Sequence, residues 1–246
     1  MMNSKSIGVI SEIYRYPIKS FGGEALNRVR LESYGLYGDR SHAFVDDTQE
    51  GWERYITARQ IPEMLSYRAE LDVQSSNDEY PDVHITSSDG RILLWNDQLV
   101  EEIQSFSDSR ISTERFSSRY SEQLGVDDGS ILIITDRSLK TLELLWGKQL
   151  DHRRFRANFL ITLFDGVNDI ESDYIGKRLI IGNAQLSIQS LCERCSMISI
   201  DPNNLECDPT LLRNIYKNMD LRFGMYAGVV TVGTVQLGDQ VYTCDS

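Results

Sequence analysis

A mainly β fold with a few helices, α+β in class, follows from three features of the sequence. Short segments rich in β-branched residues recur along the chain, and Gly, Asn, Asp and Ser turn signals such as Gly182-Asn183 and Asp89-Gly90 separate them. Helical periodicity is confined to three stretches. Strands this short and closely spaced predict an antiparallel barrel or sandwich.

In chain order, the pattern predicts strands over Val9–Tyr14, Leu26–Leu31, Ala43–Val45, Tyr67–Val73, Val83–Thr86 and Ile92–Leu94. It continues with Ile131–Thr135, Phe159–Leu163, Arg178–Ile181, Ala184–Ser190, Met197–Ile200, Gly228–Val232 and Val241–Thr243. Helices are expected over Gln98–Phe106, over Asp136–Leu145 with Thr135 or Asp136 as cap, and over Asp208–Asn218 with Pro209 in the first turn. Ser75–Pro81 reads as a surface loop. A division between residues 105 and 106 gives a smaller N-terminal β-rich domain, 1–105, and a larger barrel domain, 106–246.

Composition narrows the function classes. A net charge of −12 with no basic run argues against a nucleic acid partner, since phosphate backbones require a basic surface. No apolar run approaches the roughly 20 residues that span a bilayer, and Met1–Ile7 lacks the apolar core of a signal peptide. A cytoplasmic protein with no membrane partner is expected. Its four cysteines, 192, 195, 207 and 244, are too few to staple a secreted scaffold, so they are expected reduced.

Four segments carry candidate chemistry. Tyr16-Pro17-Ile18-Lys19-Ser20 ends a strand at proline and enters Phe21-Gly22-Gly23, where two glycines permit positive φ; Lys19 and Ser20 then sit on a tight turn suited to an anion. The glycine-bracketed Gly35-Leu36-Tyr37-Gly38-Asp39-Arg40 ends in a guanidinium fork that matches phosphate, with Asp39 placed to orient it. Taken alone, the first reads as an ordinary hairpin loop with a solvated lysine and the second as a surface ion pair. Arg153-Arg154-Phe155-Arg156-Ala157-Asn158 precedes an apolar strand; read as extended chain, residues 154, 156 and 158 share a face.

The fourth segment, Cys192-Glu193-Arg194-Cys195, admits zinc, dithiol exchange, one reactive thiolate, or two reduced cysteines without a role. Cys207 and Cys244 form no second pair and the histidines, 42, 84 and 152, are distant in sequence, which weakens zinc. The strand-like sequel Met197–Ile200 argues against a helix-initiating dithiol. One thiolate beside Arg194 is a suitable ligand for a metal that already carries sulfur donors.

Taken in order, these segments, with Asp201-Pro202, Phe223-Gly224-Met225-Tyr226 and Gly233–Asp239, resemble the signature blocks of the MOSC superfamily over essentially the whole chain. The arrangement looks like that of the amidoxime-reducing component and its bacterial counterparts, in which an N-terminal MOSC-type β-barrel domain precedes the MOSC domain. The resemblance implies a mononuclear molybdenum–molybdopterin cofactor (Moco) with Cys195 as metal ligand and catalytic thiolate. It implies that Lys19, Ser20, Arg40, Arg156, Asn158, Thr135 or Ser138, and the backbone around Arg194 hold the pterin and its phosphate. Cys192 matches a position that is not the ligand.

Three departures stand out. Ala157 replaces a frequent proline, Asn203-Asn204 follows Asp201-Pro202 in place of Asp-Thr-Gly, and no cysteine-rich ferredoxin module follows Ser246. The resemblance therefore implies an oxidoreductase that reduces small N-hydroxylated compounds with electrons from a separate flavin, iron–sulfur or heme protein. A non-catalytic carrier of the cofactor or of sulfur, and a zinc-stabilised interaction protein, are the alternatives.

Overall fold

The computed structural model describes residues 4–72, 82–116 and 129–245. The expected loop at Ser75–Pro81 lies outside these residues, as does Val73. The first part of the chain contains β1 (Lys5–Arg15), β2 (Glu24–Ala25), β3 (Arg28–Glu32), β4 (Gly35–Leu36), β5 (His42–Asp46), β6 (Arg68–Leu71), β7 (Val83–Thr86), β8 (Ile92–Leu94), α1 (Asp97–Gln104) and β9 (Ile111–Arg115). The second contains β10 (Ile131–Thr135), α2 (Asp136–Trp146), β11 (Phe159–Leu163), β12 (Arg178–Ile181), β13 (Ala184–Glu193), α3 (Thr210–Met219), β14 (Arg222–Thr231), β15 (Gly233–Gln236) and β16 (Gln240–Cys244).

Seven strands close a barrel in the order β1-β11-β10-β14-β13-β12-β16 and back to β1. All pairs are antiparallel except β10–β11, which α2 connects as a crossover. The first strand of the chain thus completes a barrel otherwise built from its last half. β1 can do so because Ile7, Ile10 and Ile13 point inward, with a register shift between Ile10 and Glu12 that lets the strand coil round the barrel. At Gly8 a Cβ would stand 2.3 Å from the Thr162 carbonyl, so β1 and β11 approach here only because the position is glycine.

The barrel interior is filled by residues such as Ile133, Phe159, Leu179, Leu186 and Met225. A second core, under β6-β7-β8 and α1, gathers Phe21, Phe44, Met64, Ile85 and Leu99. A third packs α2 and α3 on the barrel wall through Leu142, Leu211, Ile215, Phe155 and Phe223. The sheet β15-β3-β4 ties the two ends of the chain together.

Several elements differ from the sequence expectation. Met197–Ile200 is not a strand: Ser196–Ser199 forms a 3-10 turn with Cys195 at its N-cap, and Ile198 and Ser199 are buried. Met197, Ile198 and Ile200, three apolar residues around one serine, fit a buried turn as well as a strand. The approach to β11 is not extended either; His152–Phe155 is a 3-10 turn and Arg156 closes it at φ 54°. In the Lys19 loop the positive φ, 67°, belongs to Ser20 and not to Gly22 or Gly23. Gly23 is needed for close approach: its Cβ would lie 2.3 Å from the Arg15 carbonyl. Pro209 is the N-cap of α3 rather than its first turn, while the Asp208 carboxylate accepts from Thr210 N at 2.9 Å.

No helix among the described residues is long and apolar enough to cross a membrane.

Candidate functional site

A recess opens at the barrel rim where the Lys19 loop, the Arg40 turn, the Arg154–Asn158 segment and the end of β13 converge. Lys19, Ser20, Arg40, Arg156, Asn158, Arg194 and Cys195 all line it, so residues far apart in sequence meet at one place. Six cationic side chains surround the recess, those of Lys19, Arg40, Arg59, Arg154, Arg156 and Arg194. In a chain of net charge −12 this is a local reversal of sign that favours an anionic ligand.

The scaffold beneath the recess is a closed network. Asn158 is fully buried, and its side chain accepts from Leu132 N (3.0 Å) and Arg40 Nη1 (3.2 Å) while donating to the Tyr14 carbonyl (3.2 Å) and Asp39 (3.1 Å). Asp39 pairs with Arg40 and accepts from Tyr16 N at 2.6 Å. Arg40 Nη2 donates to the Arg156 carbonyl at 3.1 Å. Arg40 and Arg156 lie 4.8 and 4.3 Å from the Tyr16 ring centroid, and burial pushes the Tyr16 hydroxyl up to about 12, against the pull of the two guanidiniums. The neutral ring is therefore a fixed platform under both cations.

Arg154 and Arg194 are nine-tenths buried yet incompletely paired. Arg154 donates to the Ile198 and Ser199 carbonyls at 3.2 Å and to Asp201 at 2.5 Å, and its Nε has no partner. Arg194 donates to the Phe223 (2.8 Å) and Phe155 (3.2 Å) carbonyls, and its Nη2 has no partner. The buried Ser20 hydroxyl is likewise unpartnered. Buried polar atoms are rarely left unpaired, so three on residues lining one recess fit a hydrogen-bonding ligand.

Cys195 is exposed at this recess, whereas Cys192 is buried in the third core with Sγ 3.5 Å from the Glu193 carbonyl. Neither cysteine is in a disulfide. Among the described residues no group of three or more His, Cys, Asp or Glu is placed to hold a metal ion, which leaves the zinc alternative without a ligand set.

Thr135 and Ser138 are not brought to the recess. Thr135 caps α2, accepting from Ser138 N at 3.1 Å, and Ser138 Oγ donates to Glu171 at 2.5 Å. Both line a separate cavity with Ile170, Leu191 and Phe223. Burial raises the Glu171 carboxyl, opposed by donors from Ser138, Gly224 N and Thr135 N. Arg154, read in the sequence as sharing a face with Arg156 and Asn158, also lines the recess, as do Thr57, Arg59 and Tyr226, to which the sequence assigned no individual role. The signal for Thr57 and Arg59 was the polar pair Thr57-x-Arg59 ahead of Pro62; Tyr226 stands in the Phe223–Tyr226 block on β14.

Two family models cover most of the chain: the MOSC N-terminal beta barrel domain matches residues 7–114 and the MOSC domain matches residues 121–242. The chain belongs to the MOSC-domain family. This MOSC protein is 25% identical to mitochondrial amidoxime reducing component 2 of Bos taurus, over 97% of this chain and 84% of that one. It is 24% identical to mitochondrial amidoxime-reducing component 1 of Homo sapiens over 97% of this chain and 83% of that protein. A molybdenum cofactor sulfurase of Caenorhabditis elegans is 23% identical over 92% of this chain, which spans 34% of that protein. The fold also matches the crystal structure of the YUAD protein from Bacillus subtilis, with a TM-score of 0.54 at 14% identity over 100% of both chains.

Proposed function

We propose that this protein holds a molybdenum–molybdopterin cofactor at the Cys195 recess and reduces small N-hydroxylated compounds with electrons from a separate donor protein. The observation that carries this reading is the conjunction at one recess of an exposed thiol, six cations and three buried donors without partners. The names of the amidoxime-reducing relatives support it.

Lys19, Ser20, Arg40 and Arg156 are placed to hold the cofactor's phosphate and pterin, and Cys195 to ligate its metal. When bound, the cofactor supplies two-electron redox chemistry, so that R–NH–OH with two electrons and two protons yields R–NH2 and water. The residues of the chain fix the geometry for this. Asn158 and Asp39 hold Arg40 rigid, Tyr16 supports Arg40 and Arg156 from one side, and Arg194, pinned on two carbonyls, orders the backbone that presents Cys195. The division of the chain at residues 105/106 into an N-terminal domain and a MOSC domain belongs to the same proposal, with the donor protein approaching the exposed mouth beside Cys195.

The test is turnover of an N-hydroxylated compound by molybdenum-loaded protein with a chemical reductant. Product amine formed by the wild type and not by Cys195→Ser supports the reading; no amine from fully loaded wild type sinks it. A second reading, a holder that hands the cofactor or a Cys195 persulfide to another enzyme, draws on the exposure of Cys195 and the similarity to a cofactor sulfurase. Transfer of cofactor to an apo-enzyme without any amine formation distinguishes it.

A further inference from the structure

The outer mouth of the recess is lined by Trp52, Tyr55, Lys19, Arg59 and Tyr226 together with Cys195. Trp52 is 58% exposed, a large apolar surface left in contact with water where the exposed Cys195 thiol opens outward. Its position is fixed from below. The Trp52 and Tyr55 ring centroids are 5.5 Å apart, Tyr55 bridges to Val45 of β5 and packs on Phe116, and Lys19 Nζ lies 5.9 Å from the Trp52 centroid and 5.2 Å from that of Tyr55. A short 3-10 turn over Gly51–Arg54, with Gly51 at φ 59°, carries Trp52 up to this position.

We infer that Trp52 is a stacking platform that gives the Cys195 site a preference for planar aromatic or heteroaromatic substrates. This rests on the functional reading above and adds to it the class of the substrate. Lys19 cannot reach both rings and leave the indole free to turn at no cost; the cation holds the electron-rich faces of Trp52 and Tyr55 towards one point. An anchored indole then offers its remaining face to a flat ring, a contact that an aliphatic chain of the same reactive group cannot match in area or in quadrupole geometry. With the ring on Trp52, a substituent bearing the N–OH group points along the mouth to the Cys195 end, where Arg59 and Arg194 are available to its polar atoms. Trp52 is a specificity-determining residue in this scheme and takes no part in the bond-breaking step.

Benzamidoxime and acetamidoxime share the reactive group and differ in the ring. Calorimetric binding of each to the protein as isolated, without reductant, is the first readout; the KM of each under turnover is the second. The wild type is expected to bind benzamidoxime at least about fivefold more tightly. Trp52→Ala should abolish that difference, raising the KM for benzamidoxime with little change in kcat, and leave acetamidoxime unaffected; Trp52→Phe should restore most of it. Equal binding of the two probes, or an unchanged ratio in Trp52→Ala, overturns the inference even where reduction is observed. If reduction is absent but the Trp52-dependent difference in binding remains, the reaction assignment fails and the platform stands.

Discussion

Arg40 donates through Nη1 to Asn158 Oδ1 at 3.2 Å across 118 positions of sequence, joining the turn after β4 to the start of β11. The same amide pairs with Leu132, Tyr14 and Asp39, so one fully buried side chain coordinates the barrel strands with the cation turn above them. All of its hydrogen-bonding capacity is used.

Replacing that amide should therefore cost stability and not merely ligand affinity. Asn158→Ala strands the Leu132 amide and the Tyr14 carbonyl, and a loss of about 3 kcal/mol is expected by chemical denaturation. A variant with wild-type stability would show that the network is not coupled as described.

Arg15 and Glu24 form a buried pair at 2.8 Å, with side chains 5% and 11% exposed, and the Glu24 carboxylate also accepts from Leu71 N at 3.0 Å. Glu24→Ala should destabilise by roughly 3–5 kcal/mol because it leaves a buried guanidinium without its counter-charge, held among the described residues only by the Tyr37 carbonyl at 3.1 Å. The double change Arg15→Met with Glu24→Leu should recover much of that loss, measured in the same denaturation experiment.

His42 is buried against Trp95, with its ring 4.8 Å from the indole, and burial, reinforced by Arg115, lowers its pKa to about 3. The unfolded chain binds a proton near pH 6.5 and the folded chain does not. Stability from this residue is thus fully present above pH 6.5 and is lost as pH falls towards 3, by up to about 1.4 kcal/mol per pH unit. His42→Gln should flatten the acid limb of the stability–pH curve between pH 6 and 4; an unchanged slope would place the titration elsewhere.

Thr135 and Ser138 give a direct contrast between sequence and structure. Ser138→Ala removes a donor to Glu171 and loosens the start of α2, so it should lower the melting temperature and leave molybdenum content unchanged. Arg156→Ala should do the reverse, with molybdenum content reduced. Loss of molybdenum in Ser138→Ala would return these hydroxyls to the cofactor site.

What could be read from the sequence follows from where the signal lies. β10, β11 and α2 were legible because short β-branched and apolar runs, helical periodicity and a Thr135 cap are local. The closing role of β1 was not, because pairing β1 with both β11 and β16 is a long-range choice that no local pattern encodes. At the site, Lys19 and Arg40 were visible as cations in glycine-rich turns and Arg156 in an arginine-rich segment read as extended, and the structure brings them together. Arg156 reaches the recess by a left-handed residue after a 3-10 turn, not by strand alternation. Ser138 lies away from the recess, and a hydroxyl at a helix start has the same sequence signature whether it binds a ligand or a neighbouring carboxylate such as Glu171. Trp52 gave no sign at all, because exposure is a property of the fold.

The most direct test of the cofactor site is molybdenum stoichiometry in protein made in a molybdenum-sufficient host. Wild type is expected to carry close to one molybdenum per chain, Cys192→Ser to match it, and Cys195→Ser to lose most of the metal. Equal molybdenum in wild type and Cys195→Ser, or a larger loss in Cys192→Ser, would contradict the assignment of Cys195 as the ligand.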